Sequence, residues 1–307
     1  MTAPGTLVRM GVLALLWGSS FLWIKIALTG LSPVQIALVR TLLGAAVVVA
    51  ITVSRGQRLP ADRGTWAHVG VAALFGNAIP FVLFAVGEQT VDSGVAGVLN
   101  STTPLWTLAL GFALGSEKRR TPVQLTGLAL GFGGTLLIFA PWQRGGLMTW
   151  GALACLLAAI SYAVAYTHIG RHVSGRGLSS LQLTSTQLLA GGALIAVTVP
   201  VGGLQPVHLD AGALIAVGIL GVFGTGAAFI INNRLIADEG PTNATTVGYL
   251  LPVVSVLLGA AFLGEDLNLR IVAGALVVLV GVALSRRAPA PAVVPPPTVA
   301  EPVLCAK

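Results

Sequence analysis

Apolar runs, each about the length needed to cross a bilayer, follow one another along nearly the whole chain, separated by short stretches that hold most of the charge. A helix rising about 1.5 Å per residue needs about 20 apolar residues to cross roughly 30 Å of hydrocarbon. Marking such runs between breakers predicts ten spans, at 7–29, 33–53, 66–87, 93–114, 121–140, 149–170, 178–200, 210–233, 241–263 and 268–285. The runs are continuous and do not alternate, so helices are expected and barrel strands are not. Pro33, Pro122 and Pro241 stand where spans begin, a position that suits proline in a first helical turn. The expected fold class is all-α integral membrane.

Composition supports this placement. Hydrophobic residues make up 55% of the 307 positions and charged residues 9%, with mean hydropathy +0.90, too little charge to cover a soluble surface. The net charge of +7 would suggest nucleic acid in a soluble protein, but the basic residues lie in short loops between apolar runs. They report orientation. With the amino terminus in the cytoplasm, thirteen of the 17 Lys and Arg fall inside, Arg144 and Arg270 fall outside, and Lys25 and Arg40 lie within spans. That bias predicts both termini on the cytoplasmic face of the cell membrane and an even number of spans. The first apolar stretch is too long for a signal-peptide core and is expected to remain as a helix. Cys155 and Cys305 form no disulfide framework, and the proline-rich residues 286–307 are expected to be a disordered tail.

The chain is internally repeated. Pro104 precedes Glu117 by 13 positions, and Pro252 precedes Glu265 by the same 13. Gly127 and Gly134 answer Gly274 and Gly281 once a single residue is dropped, while Pro33, Gln35 and Arg40 match Ser180, Gln182 and Gln187 at an offset of 147. Two repeats are expected, 1–140 and 141–285. Five spans in each is an odd number, so the second must enter the membrane inverted. Inverted repeats suit alternating access about a site near the midplane.

These residues resemble the drug/metabolite transporter superfamily, and within it the EamA group of ten-helix carriers. The resemblance rests on WGSSFLWIK at 17–25, the stretch from Pro33 to Arg40, and the Pro104–Glu117 and Pro252–Glu265 segments. It implies a central cavity lined mainly by the first, third and fourth spans and their repeat mates, with the fifth and tenth at the periphery. The second half has no counterpart to the Arg40 charge.

Candidate site residues follow from polar and aromatic groups inside spans. A charge in hydrocarbon costs at least about 2.5–3.5 kcal/mol on insertion scales, so Lys25 and Arg40 need a reason to be there. Lys25 can snorkel to the outer interface. Arg40 lies deeper, and could hold a substrate carboxylate bidentately or pair with Glu88. Asn77, Phe81, Phe84 and Glu88 share a helical face, either lining a cavity or packing against a neighbour, with Asn77 hydrogen-bonding across helices. Asn100 and Thr103 share a face with Thr107 in the fourth span, and Trp17, Phe21, Tyr162 and Tyr249 are candidate cavity aromatics. Glu117 and Glu265 stand before helix starts, where the dipole favours a carboxylate; Gly111/Gly115 and Gly127/Gly131 fit close helix packing.

The expected function is transport of small polar or amphipathic metabolites, with export of amino acids or related zwitterions first among them. No Asp or Glu lies inside a span, which predicts a uniporter or weakly coupled exporter with Glu88 as the titrating acid near the cavity. An integral membrane enzyme or a channel is the alternative. The four histidines, His68, His168, His172 and His208, stand at or beyond span ends without metal-ligand spacing or a partnered nucleophile, so no catalytic set, metal or cofactor is expected. The expected partners are a small-molecule substrate and the lipid bilayer, with no nucleic acid; a homodimer is left open.

Overall fold

The structure, a computed structural model, describes residues 4–91, 93–115, 121–140, 149–208, 210–254 and 269–285, and among them the chain is built of helices and short turns with no strand. Glu117, Glu265, Arg144, the end of the ninth predicted span and the 286–307 tail lie outside the described residues. Five helical stretches are long and apolar enough to cross a membrane: Gly5–Ala27, Pro33–Ser54, Arg63–Gly87, Trp150–Val173 and Ala211–Glu239. Two shorter apolar helices, Pro122–Ile138 and Leu269–Ser285, accompany them. Large apolar side chains such as Leu15, Leu22, Leu42, Leu276 and Leu279 are exposed on the outer surface, as lipid contact requires.

Spans predicted as single helices are interrupted, and proline explains two of the interruptions. The first divides at Ser19 into α1 (Pro4–Gly18) and α2 (Ser20–Ala27), and α3 (Pro33–Ser54) is continuous. The third consists of α4 (Arg63–Ala73), a π-helical turn at Leu74–Ala78, and α5 (Ile79–Gly87). In that turn the Ile79 N–H bonds Leu74, and the next donor position is Pro80, which has no N–H. The Phe75 carbonyl is therefore left over, and the Ser161 hydroxyl donates to it at 2.8 Å. The fourth span breaks between α6 (Ser93–Asn100) and α7 (Thr103–Ala113). Pro104 removes the helical donor of the Asn100 carbonyl, and the Thr103 hydroxyl replaces it at 2.7 Å.

The remaining elements are α8 (Pro122–Phe139), α9 (Trp150–His168) with a π-helical turn at Ile169–Val173, α10 (Ser180–Ala196), α11 (Val199–Gly202), α12 (Ala211–Gly221), a π-helical turn at Val222–Ala227, α13 (Ala228–Glu239), α14 (Pro241–Thr245) with a 3₁₀ turn at Thr246–Tyr249, and α15 (Leu269–Ser285). The eighth span runs past the expected boundary at 233 to Glu239. Its charged end is stabilised by Asp238, which pairs with Arg234 at 2.9 Å and Arg9 at 2.6 Å.

Contacts between residues matched by the repeat come in reciprocal pairs. Ser32 and Ser179 each form a capping box with the glutamine three residues on, Gln35 and Gln182. The Gln35 amide also donates to the Gln205 carbonyl at 2.8 Å, and the Gln182 amide donates to the Arg58 carbonyl at 2.8 Å. The offset of 147 that takes Gln35 to Gln182 also takes Arg58 to Gln205. Each contact is the other with the halves exchanged. The start of α3 meets the chain beyond α10, and the start of α10 meets the chain beyond α3, so these matched helices run antiparallel.

The matched helices α8 and α15 also cross antiparallel, through glycines. A β-carbon on Gly127 would strike Gly281 and Ser285, and one on Gly134 would lie 2.8 Å from the Gly274 carbonyl. Only glycine allows backbones this close.

Candidate functional site

A central cavity is enclosed by the first, second, third, fourth, sixth and ninth spans. It leaves about 60 Å³ open to a water-sized molecule, room for a few waters and too little for an amino acid without widening. Of the candidate residues, Trp17, Phe21, Arg40, Phe81 and Phe84 line it, together with Asn100, Thr103 and Tyr162. Asn77 and Tyr249 do not.

The cavity is aromatic around one cation. Phe21 and Phe84 meet edge to face at 5.8 Å, and Phe84 stacks with Tyr162 at 6.0 Å. Phe229, behind the wall, contacts both Trp17 and Phe81 at 5.9 Å. Arg40 is buried, and its Cζ lies 4.0 Å from the centroid of the Phe81 ring, a cation–π contact. Its Nε donates to the Thr225 hydroxyl at 3.0 Å, which in turn donates to the Leu220 carbonyl at 2.8 Å. Arg40 makes no ion pair with Glu88, and among the described residues its two terminal nitrogens have no protein partner. Thr225 lies in the Val222–Ala227 turn, and the Trp17 indole donates to the Gly224 carbonyl of the same turn at 3.1 Å. Irregular backbone thus holds both the cation and the indole in place.

Asn77 occupies the corresponding turn of the first half, and its side chain is committed elsewhere. The Gln187 amide donates to Asn77 Oδ1 at 2.8 Å. Asn233 Nδ2 donates to Gln187 Oε1 at 3.2 Å and to the Thr184 hydroxyl at 3.0 Å. All four residues are buried. Gln187 is the repeat mate of Arg40, so two matched positions each reach into the π-helical turn of the opposite half, one with a charge facing the cavity and one with an amide sealed between helices. Interhelical bonds in membranes contribute about 0.6 kcal/mol on average, and a buried amide left unpaired costs about 1–3 kcal/mol. Gln187→Leu is therefore expected to lower stability by about 1–3 kcal/mol in detergent unfolding and to leave substrate affinity unchanged.

Tyr249 is fully buried with its ring against Gly131, packing α8 to the ninth span. Glu88 and Lys25 are also outside the cavity. They line a separate open cleft of about 740 Å³ among the ends of the first and third spans and the 202–208 turn. There Lys25 Nζ donates to the Glu88 carbonyl, at the end of the third span, at 2.8 Å.

The cavity includes residues the sequence reading missed. Tyr166 lies four positions after Tyr162, so helical periodicity could have found it. Gly248 and Leu251 stand 148 positions after Asn100 and Thr103, the offset between Pro104 and Pro252. Ser20, Ile24 and Thr245 complete the lining and carry no distinguishing signal in the sequence.

The histidines require a correction. His68, His168 and His172 come together, with their ligand atoms within 4.8 Å of one another. His168 and His172 are four apart on one helical stretch, a spacing that does suit a metal.

The model of the EamA-like transporter family matches residues 8–140 and again 149–287. An uncharacterized inner membrane transporter of Escherichia coli K12, YedA, is 30% identical over 258 residues, 83% of this chain and 82% of that protein. An uncharacterized transporter of Archaeoglobus fulgidus is 28% identical over 87% of this chain and 93% of its own length. PecM of Dickeya dadantii is 26% identical over 82% of each. A solved crystal structure superposes with a TM-score of 0.74 at 21% identity, over 93% of this chain and 97% of that one.

Proposed function

The chain belongs to the EamA-like transporter family, and from that premise we propose that it carries small solutes bearing a carboxylate or similar anion, amino acids among them, by alternating access. The carrying observation is the Arg40 guanidinium, buried in an aromatic cavity with no acid hydrogen-bonded or ion-paired to it among the described residues, the buried Glu88 acting on it only at a distance. Such a charge is costly to hold in a low-dielectric site, and a ligand anion offsets that cost. Aromatic walls accept the apolar part of the solute while the guanidinium fixes its anionic end.

Ten spans in two inverted halves provide the machinery. The antiparallel crossings of α3 with α10 and of α8 with α15, each between matched helices, support that arrangement. The excess of basic residues in alternate loops of the sequence supports a reading with both termini in the cytoplasm and the open cleft beside Lys25 at the outer face of the cell membrane. A cavity this narrow corresponds to a contracted state that widens as the halves rock. No carboxylate lines it among the described residues, which supports uniport or weak coupling.

Substrate binding to the purified protein in nanodiscs tests the reading. A panel of amino acids and other carboxylates is expected to compete for one site, and their uncharged amides to compete poorly. Equal competition by acids and amides would remove the anion from the proposal. Gly248 supplies a second test, because a β-carbon there would meet open space. Gly248→Leu is expected to fill the cavity and suppress binding at unchanged thermal stability, read by melting and binding on one preparation.

A further inference from the structure

We propose that His68, His168 and His172 form a binding site for a divalent transition-metal ion that ties the third span to the sixth, and hence the first half of the protein to the second. His68 lies in α4, His168 is the last residue of α9, and His172 lies in the π-helical turn that follows. His68 is 100 residues from His168 and on a different helix, yet its Nδ1 approaches His168 Nε2 to 3.4 Å.

That separation has a chemical meaning. Two nitrogens of a tetrahedral zinc site, each about 2.0–2.1 Å from the metal, lie about 3.3 Å apart. The 3.4 Å between His68 Nδ1 and His168 Nε2 matches one edge of that tetrahedron. The third ligand atom lies within 4.8 Å of the others, a gap that imidazole rotation can close. The rings are stacked, His168 and His172 with centroids 4.6 Å apart and His68 and His172 at 5.1 Å, so binding an ion requires the imidazoles to turn until their in-plane lone pairs meet at one point. His168 and His172 are partly buried and exposed respectively, so an ion can enter from the aqueous side.

The surroundings select the class of ion. Three imidazoles without a carboxylate suit Zn²⁺, Ni²⁺, Co²⁺ or Cu²⁺ and leave Mg²⁺ and Ca²⁺ without the oxygen ligands they need. Asp62, the nearest acid in the chain to His68, is engaged in capping α4, accepting from the Thr65 N–H at 2.7 Å and lying 3.6 Å from Arg176. The two nearby cations are also turned to other partners: Arg171 donates to the Leu114 carbonyl and Arg176 to the His172 carbonyl, each at 2.6 Å. A fourth coordination position is left for water or a small ligand. Because the ligands come from both halves, a bound ion holds their ends together on this side and restrains any opening there.

The test uses untagged protein, purified without chelator into nanodiscs and titrated calorimetrically with ZnCl₂. One saturable site is expected, with a rise in melting temperature and no response to MgCl₂. His68→Ala, His168→Ala and His172→Ala are each expected to weaken Zn²⁺ binding at least about tenfold, while the metal-free melting temperature reports whether each variant folds. His172→Ala removes the most exposed ring and is the variant least able to disturb packing. Co²⁺ is expected to give the intense visible absorption of a tetrahedral site, lost in the same variants. Absence of saturable Zn²⁺ binding, or binding unchanged by His68→Ala and His172→Ala, overturns the proposal and leaves a stack of three imidazole rings.

Discussion

Arg40→Gln is expected to cost carboxylate-bearing solutes about 10- to 150-fold in affinity. The figure follows from the guanidinium's terminal nitrogens, which meet no protein partner among the described residues. A hydrogen bond to a charged group contributes about 1.5–3 kcal/mol net, and each 1.4 kcal/mol is a factor of about ten. Arg40→Lys is not expected to restore binding, because an ammonium cannot reproduce the planar bidentate fork or its stacking on Phe81. Thermal stability should be largely preserved in Arg40→Gln, since the variant relieves the desolvation of a buried charge while giving up its bond to Thr225 and its contact with Phe81. Uncharged solutes that enter the same cavity should bind as before. If charged and uncharged solutes lose affinity equally, Arg40 shapes the cavity and does not read the anion.

Gly281→Ala is expected to destabilise the protein by about 1–3 kcal/mol or more, even though alanine favours helices. A β-carbon at Gly281 would strike the Gly131 backbone and lie 2.8 Å from the Gly127 carbonyl. Backbone atoms cannot rotate aside as a long side chain would, so α8 and α15 must separate. Gly133→Ala provides the control on the facing helix. Nothing lies within 4 Å of a β-carbon there, and the change should be neutral or stabilising by up to about 1 kcal/mol. Reversible unfolding in mixed micelles compares the two variants directly. Equal stability would mean that the crossing tolerates a wider separation than the glycines impose.

The transporter class and most of the cavity were legible in the sequence because polar and aromatic groups are rare in spans and stand out there. Arg40, Trp17 and Phe21 needed only that contrast. Asn77 carried the same contrast and does not face the cavity. A buried amide is equally at home between helices, and only the positions of Gln187 and Asn233 decide which use it serves. Tyr249 failed for a similar reason, since a tyrosine ring can fill a gap beside a glycine as readily as line a pocket. The histidines went the other way: His68 stands 100 residues from His168, and no local spacing reveals that their helices pack side by side.

Hydropathy, proline placement and the repeat are properties of order along the chain, so the sequence by itself determined the membrane class, the helical build and the duplication that the family model matches twice. Which of two matched positions carries a cavity-facing charge and which is sealed in an amide network depends on what the opposite half presents: Thr225 to Arg40, Asn77 to Gln187. The convergence of three imidazoles and the closeness of α8 and α15 are likewise distances between segments remote in sequence. Tertiary packing alone decided them, because the energies involved act across space between neighbours that chain order does not name.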